Sequence, residues 1–118
     1  MNKPNILFLL KGLEIGGLEV VTADLAIKFV EEGHLVSVVS FLGGKHSIAD
    51  RFDARIKLYQ QDDYSRSKEN VAKLRKVLVD DKIDIIIKQW GLRYTPIKTA
   101  RKAAKGLDVK IISVYHNA

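Results

Sequence analysis

Five apolar runs, each followed by a polar or glycine-containing stretch, are spaced along the 118-residue chain. Four of them are nearly continuous, which is typical of strands buried on both faces of a parallel sheet. The third run alternates polar and apolar residues, which predicts a half-exposed strand at the rim of the sheet. The predicted strands cover residues 6–10, 35–41, 55–59, 84–89 and 109–115.

Helical patterns separate most of these strands. The first helix is predicted from 18 to 32, because apolar residues recur there at helical spacing and Gly33 follows as a left-handed stop. The second is predicted to begin after Ser67, a suitable N-cap, and to end near residue 80. The third has Thr95 as N-cap, Pro96 as its first helical residue and Gly106 as its stop. This alternation predicts an α/β fold, a three-layer Rossmann-like domain whose five parallel strands have the order 3-2-1-4-5.

The carboxyl ends of the first, fourth and fifth strands are the expected place for a ligand. The order 3-2-1-4-5 makes the first and fourth strands neighbours where the winding direction reverses, and ligands of such sheets bind in that crevice. The exits of these strands are the glycines at 16–17, Trp90, and His116 with Asn117. Trp90 either lines a pocket there or belongs to the core, and His116 either serves as an acid–base group or simply ends a strand. His34 falls at the opposite edge, where a surface or packing role is expected.

Gly16 and Gly17 immediately precede the first predicted helix. The N–H groups of a helix's first turn lack intrahelical acceptors and carry about half a positive charge. Glycine lets a ligand approach this backbone closely, so the loop suits an anion, most often a phosphate. The same two glycines can also make a tight turn through which helix and strand pack, and the motif alone leaves both interpretations open.

Three familiar loop classes do not fit this stretch. A Walker A loop requires lysine and a hydroxyl residue where Leu18 and Glu19 stand, which argues against an ATPase. The dinucleotide fingerprint has Glu14 in place of its second glycine, and no acid ends the second strand, so NAD binding is disfavoured. A signalling receiver domain places an acidic pair after its first strand, where this chain has Lys11 and Gly12.

The positive charge of the chain is concentrated in one region. The formal net charge is +6, and residues 88–110 carry seven basic residues against one acid, which accounts for all of it. The chain has no cysteine, and its first apolar run is too short for a signal peptide or a membrane span, so a cytoplasmic protein is expected. Four of the basic residues share one sector of the third predicted helix: Lys98, Arg101, Lys102 and Lys105.

Three stretches of the chain resemble one enzyme family. Residues 16–19 read Gly-Gly-Leu-Glu, residues 83–87 read Ile-Asp-Ile-Ile-Ile, and residues 115–117 read Tyr-His-Asn. They are similar to the Gly-Gly-x-Glu loop, the Pro-Asp-Val-Val-Ile strand and the histidine exit in the N-terminal domain of GT-B-fold glycosyltransferases of family 4. The flanks depart from the family, which often has Ala and Arg beside the glutamate where this chain has Leu18 and Val20.

The resemblance implies a retaining enzyme that moves a sugar from a nucleotide-diphosphate sugar to a sugar or lipid-linked acceptor, in a cleft between two domains. Residues 1–118 would be the acceptor-side N-terminal domain, with the second domain absent and no activity alone. No cofactor or metal is implied, since the sugar nucleotide is a substrate. The residues that would bind the donor phosphate or the acceptor are Gly16, Gly17, Glu19, Trp90 and Asn117, and His116 would be catalytic.

Other interpretations of the basic region and of the whole chain remain open. The basic helix can rest on the anionic inner face of a membrane, contact a partner domain, or simply face solvent. The rival for the whole chain is a non-catalytic Rossmann-like module that binds a nucleotide or a phosphorylated partner. Nucleic acid is the weaker form of that rival, because no aromatic platform accompanies the basic charge.

Overall fold

The structure, a computed structural model, describes residues 3–12, 17–42, 54–60, 68–89 and 95–114. The predicted strands and helices are all present in these ranges, with bounds shifted by one or two residues. In chain order the elements are β1 (Ile6–Gly12), α1 (Gly17–Glu31), β2 (Val36–Leu42), β3 (Lys57–Gln60), α2 (Lys68–Asp80), β4 (Ile85–Gln89), α3 (Thr95–Ala104) and β5 (Lys110–Val114).

All five strands belong to one parallel sheet with the order β3-β2-β1-β4-β5, as predicted. The fold is therefore α/β and Rossmann-like. β1 is the central strand, and Leu10 stands in register with Ser40 of β2 and with Gln89 of β4. β3 lies at the rim and begins two residues later than predicted, because Ile56 is buried in a bend just before the strand.

Helices cover the sheet on both sides and create two cores. α1 packs on one side, here called the α1 face, while α2 and α3 pack together on the other, the α2–α3 face. Successive residues of β1 alternate between them, since Leu7 and Leu9 belong to the α2–α3 core whereas Phe8 and Leu10 belong to the α1 core. This double burial explains the continuous apolar run of β1 in the sequence.

Each of the three helices is followed by a residue in the left-handed region. Gly33 (φ 100°) follows α1 and Gly106 (φ 81°) follows α3, which confirms both predicted stops. α2 is followed instead by Lys82 (φ 52°), whose side chain makes this conformation costly. α3 begins at Thr95 itself, one residue earlier than the N-cap prediction implied.

A side chain also caps the carbonyl end of each helix. These ends meet the edge of the sheet where the strands begin, and the last carbonyl groups of a helix have no intrahelical donor. Two of the three capping side chains are cations, which suits the negative pole of a helix. Lys3 Nζ donates to the Glu32 carbonyl after α1, Asn5 Nδ2 donates to the carbonyls of Asp81 (3.2 Å) and Lys82 (3.0 Å) after α2, and Arg75 Nη1 donates to those of Ala103 (3.0 Å) and Lys105 (2.6 Å) at the end of α3.

Asp81 ties the end of α2 to two strands. Its carboxylate accepts hydrogen bonds from Ser37 Oγ at 2.7 Å, from Tyr59 Oη at 3.0 Å and from Lys57 Nζ at 3.1 Å. Burial raises the pKa of Tyr59, and the neighbouring Asp81 carboxylate raises it further. The buried acid thus holds α2 against the start of β2 and β3.

His34 has a packing role, as predicted. Its Nδ1 lies 2.8 Å from the carbonyl oxygen of Pro4. Its ring meets that of Phe29 edge-on, with ring centroids 5.3 Å apart. His34 therefore stabilises the turn between α1 and β2, at the edge of the sheet opposite the crevice.

Candidate functional site

The expected ligand crevice lies between β1 and β4, which are direct neighbours. Leu10 of β1 is in register with Gln89 of β4, and Gln89 is in register with Val114 of β5. The carboxyl ends of these three strands therefore share one edge of the sheet. β1 and β4 also flank the point where the winding direction reverses, which is the usual ligand position in such folds.

α1 begins beside this crevice. The last residue of β1 is Gly12 and the first of α1 is Gly17. Four residues separate them, and since β1 and β2 are parallel, the chain leaves β1 at the carboxyl edge of the sheet and the first turn of α1 lies on that side. The N–H groups of that turn have no intrahelical acceptor, and the helix dipole favours an anion there.

The predicted site residues are only partly covered by the described chain. Gly17 is the first residue of α1, and the backbone of Glu19 belongs to the same turn. The strands that lead to the other predicted residues end at Gln89 and Val114. The predicted residues that lie outside the described part of the chain are Gly16, Trp90, His116 and Asn117. Their roles stay predictions.

A buried lysine that the sequence pattern did not single out lies in the crevice strand. Lys88 is the residue before the end of β4, and only 1% of it is exposed. It shares the α2–α3 face with Ile86, since residues two apart in a strand point to the same side. Burial lowers the pKa of Lys88 below its ordinary value. One of the seven basic residues counted in the sequence is therefore not on the surface.

The helices that cover the α2–α3 face contribute two further buried polar side chains. Asn70 is in the first turn of α2 and is 5% exposed, and Thr99 is in α3 and is 0% exposed. Each of Lys88, Asn70 and Thr99 has an interaction partner. The centre of the described core between α2 and the sheet is apolar and contains Leu74 and Leu78, while the buried Asp81 lies at its far end.

The basic residues of α3 form one exposed face, as predicted. The opposite side of the helix is buried through Ala100, Ala103 and Ala104. These small side chains let α3 pack close to the sheet, which leaves the long basic side chains outside. The exposed basic residues are Lys98, Arg101 and Lys102 of α3, together with Lys105 immediately after it.

A concave surface of about 880 Å³ opens at the edge of the sheet opposite the crevice and includes Asn5, Leu35 and Asp84 in its lining. Its polar side chains already serve the fold. Asn5 caps the end of α2, and Asp84 Oδ2 accepts the backbone N–H of Asn5 at 2.8 Å. The crevice is therefore the better candidate for a ligand site.

Neither a metal centre nor a membrane span is found in the described ranges. No three His, Cys, Asp or Glu side chains among those residues are placed to hold a metal ion. Of the helices described, none is long and apolar enough to cross a membrane.

Known proteins share the sequence pattern and the fold of this chain. A family model described as Glycosyltransferase Family 4 matches residues 15–118. The crystal structure of a glycosyltransferase from Rickettsia africae ESF-5 matches with a TM-score of 0.71 and 16% sequence identity, over 98% of this chain and 31% of that one. This chain therefore spans about a third of the length of that protein, and the likeness is one of fold. No curated protein matches the sequence.

Proposed function

Because this chain belongs to Glycosyltransferase Family 4, we propose that it is the acceptor-side N-terminal half of a retaining glycosyltransferase that uses a nucleotide-diphosphate sugar. The observation that carries the proposal is the start of α1 at Gly17, beside the crevice between β1 and β4. A diphosphate placed there meets backbone N–H groups and the positive pole of a helix. The sugar attached to it then lies at the strand exits.

The proposed chemistry depends on charge that grows as the sugar leaves. When the bond between the sugar and the diphosphate breaks, negative charge develops on the departing phosphate oxygen. In this proposal the backbone N–H groups of Gly16 and Gly17 donate to that oxygen, and donors that are already oriented stabilise such charge without reorganising. His116 is proposed to hydrogen-bond the donor sugar or to orient the acceptor hydroxyl. The residues proposed to contact the phosphate or the acceptor are Glu19, Trp90 and Asn117.

Binding of inorganic diphosphate, the group common to all such donors, tests the phosphate site. Isothermal titration of the 118-residue chain should show saturable binding. Gly17→Val places a branched side chain where the ligand approaches and should weaken binding about tenfold or more. Gly106→Ala, at the other edge of the sheet, is the control and should leave the affinity unchanged. Absence of binding in the unaltered chain, or equal affinity in Gly17→Val, would refute the phosphate site.

The proposal also holds that the chain needs a second domain for turnover. Incubated with a panel of nucleotide-diphosphate sugars, the chain alone should release no nucleoside diphosphate above the protein-free rate. Turnover by the chain alone would contradict the two-domain proposal. Tight nucleotide binding that Gly17→Val leaves intact would favour the non-catalytic module instead.

The exposed basic face of α3 is proposed to rest on an anionic lipid surface at the inner face of a membrane, near a lipid-linked acceptor. Each basic residue near such a surface contributes about 1 kcal/mol. Co-sedimentation with vesicles should therefore rise with the fraction of anionic lipid. Replacing Lys98, Arg101, Lys102 and Lys105 by Gln should abolish it, while neutral vesicles serve as the control. If the fraction of protein that co-sediments does not change with anionic lipid content, this part of the proposal is refuted.

A further inference from the structure

An apolar part of the sheet is left uncovered by the helices that the structure describes. α1 packs against β1 and β2, whereas α2 and α3 pack on the other side of the sheet. On the α1 face of β4 and β5, Ile87 is half-buried, and Ile112, its partner in register, is 41% exposed. Ile85 lies two residues before Ile87 on the same face and is also half-buried. These three isoleucines form an apolar floor.

The sequence of β5 is that of a strand covered on both faces. Ile111 packs into the α2–α3 core, so its neighbour Ile112 points to the α1 face. The strand at the other edge of the sheet, β3, belongs to a stretch that alternates polar and apolar residues, as expected where one face meets solvent. The apolar residue at position 112 therefore indicates a cover that the described helices do not supply.

One flank of α1 forms a wall beside this floor. Val21, Leu25 and Phe29 recur every four residues and so lie along one side of the helix. The ring of Phe29 meets that of Phe8 in β1, with centroids 6.1 Å apart, and a right-handed crossover from β1 to β2 turns this flank toward β4. Val21 is exposed and Leu25 is half-buried. We call the floor and this wall together the apolar groove.

The apolar groove has the width and length of one α-helix. Neighbouring strands lie about 4.8 Å apart, so the midline of β4 and β5 is about 10 Å from the midline of β1 and β2, above which α1 lies. Packed helices are about 8–10 Å apart, so a helix above β4 and β5 contacts both the floor and the wall. The five residues of each of these strands span about 16 Å, the length of about 11 helical residues.

We propose that the apolar groove is a docking site for an amphipathic helix of a partner polypeptide, whose apolar face packs on the isoleucine floor and whose acidic residues pair with Lys110. This inference goes beyond the proposed function, since it concerns a different surface and requires no diphosphate. Lys110 is exposed at the start of β5, in register with Ile85, so it borders the floor. The net charge of +6 also favours an acidic partner at longer range.

A second copy of this chain offers no suitable helix among the residues described. A helix that fills the groove needs an exposed apolar face, but the outward faces of the described helices are mostly charged. The outward charged residues are Asp24, Lys28 and Glu31 of α1, Lys73 and Lys76 of α2, and the basic residues of α3. Pairing of two β5 edges would also bring the basic faces of two α3 helices together, which repulsion between like charges disfavours.

A helical peptide tests the groove directly. The probe is a stapled peptide of about 14 residues with leucines on one face and glutamates on the other, titrated with the full chain by fluorescence anisotropy. It should bind saturably. Ile112→Glu places a charge on the floor and should weaken binding about tenfold or more. Val79→Glu is the matched control, because Val79 is 52% exposed on α2, across the sheet, and it should leave the affinity unchanged.

Charge reversal tests the acidic chemistry of the partner. Lys110→Glu should weaken binding of the glutamate peptide about fivefold, the effect of reversing one charge about 8 Å away near water. Lys73→Glu makes the same change in net charge on α2, away from the groove, and should have a much smaller effect. A peptide with the same leucines but lysines in place of the glutamates should bind Lys110→Glu more tightly than the unaltered chain.

Several outcomes would overturn the proposal. They are absence of peptide binding by the unaltered chain, equal binding by Ile112→Glu, and equal responses to Lys110→Glu and Lys73→Glu. In sedimentation equilibrium, a dimer that Ile112→Glu dissociates would show that a second copy occupies the groove instead. Far-UV circular dichroism establishes that each variant is folded, and Val21→Glu, on the wall, provides the comparison if Ile112→Glu is not. None of these results bears on the diphosphate titration, so the two proposals fail separately.

Discussion

Replacing Asp81 by Asn measures how strongly the domain depends on one buried charge. The Asp81 side chain is 2% exposed and accepts from Ser37, Tyr59 and Lys57. Asparagine has the same shape but only one accepting oxygen, and its NH₂ group only donates. The variant therefore weakens every contact and leaves at least one donor without its acceptor.

The size of the effect follows from the kind of hydrogen bond lost. A bond to a charged acceptor contributes about 1.5–3 kcal/mol and a neutral one about 1 kcal/mol. Loss of the charge at the bonds from Ser37 and Tyr59 should therefore cost about 2 kcal/mol. The Lys57 side chain is 54% exposed, so solvent screens its ion pair, which adds about 0.5 kcal/mol or less. The free energy of unfolding of Asp81→Asn should thus fall by about 2–2.5 kcal/mol.

Urea denaturation followed by far-UV circular dichroism is the assay, and the adjacent Asp80 provides a matched control. Asp80 pairs with Lys76 at 3.4 Å, but both side chains are largely exposed, so Asp80→Asn should cost less than about 0.5 kcal/mol. A double-mutant cycle with Ser37→Ala should show a coupling of about 1 kcal/mol. If Asp81→Asn and Asp80→Asn had the same free energy of unfolding, the hydrogen bonds of Asp81 would not contribute to stability and the reasoning would be refuted.

Four further residues give predictions of definite sign. Burial and Asp81 raise the pKa of Tyr59 above 10.0, so the folded state retains the phenol proton more tightly. The resulting stability is complete below pH 10.0 and is lost as the pH rises through the raised pKa. Tyr59→Phe should remove this alkaline loss of stability. The urea concentration at the unfolding midpoint should then change less between about pH 9 and pH 11 than it does in the unaltered chain. Arg75→Met removes the cation that caps α3 and should cost about 1 kcal/mol, with faster amide exchange in the last turn of α3 but not of α1. Gly106→Ala meets no atom within 4 Å, so backbone strain alone should destabilise it by about 1 kcal/mol. Lys82→Gly relieves the same strain and should raise the melting temperature, and a fall would refute this account of the helix stops.

The sheet and its order could be predicted from the sequence because the relevant signals are local. Continuous apolar runs mark doubly buried strands, and Gly33 and Gly106 mark helix ends by backbone conformation alone. Once the strands alternate with helices, the handedness of parallel crossovers leaves few arrangements. The crevice between β1 and β4 followed from this order without knowledge of any side-chain position.

The buried polar groups could not be predicted, since their partners are distant in sequence. Asp81 finds Ser37, 44 positions away, and its neighbour Asp80 looks equivalent in the sequence although it is exposed. Lys88 and Asn70 occupy positions of β4 and α2 that the apolar pattern assigns to the core. A polar residue at such a position could have been recognised in the sequence as a buried polar group. Periodicity shows that such positions are buried, but it does not show whether a polar residue there finds partners.

The capped helix ends have a consequence for how fast ligands arrive. The caps of α1 and α3 are cations, so the negative pole of each of these helices is offset at the edge away from the crevice. Each cap therefore makes the far edge of the sheet less negative, without adding charge at the end where the helix begins. An anion that approaches the domain meets less repulsion from that edge, an effect that salt weakens over a Debye length. If the proposed diphosphate binds at the strand exits, Lys3 and Arg75 favour its approach from the far side of the domain without touching it.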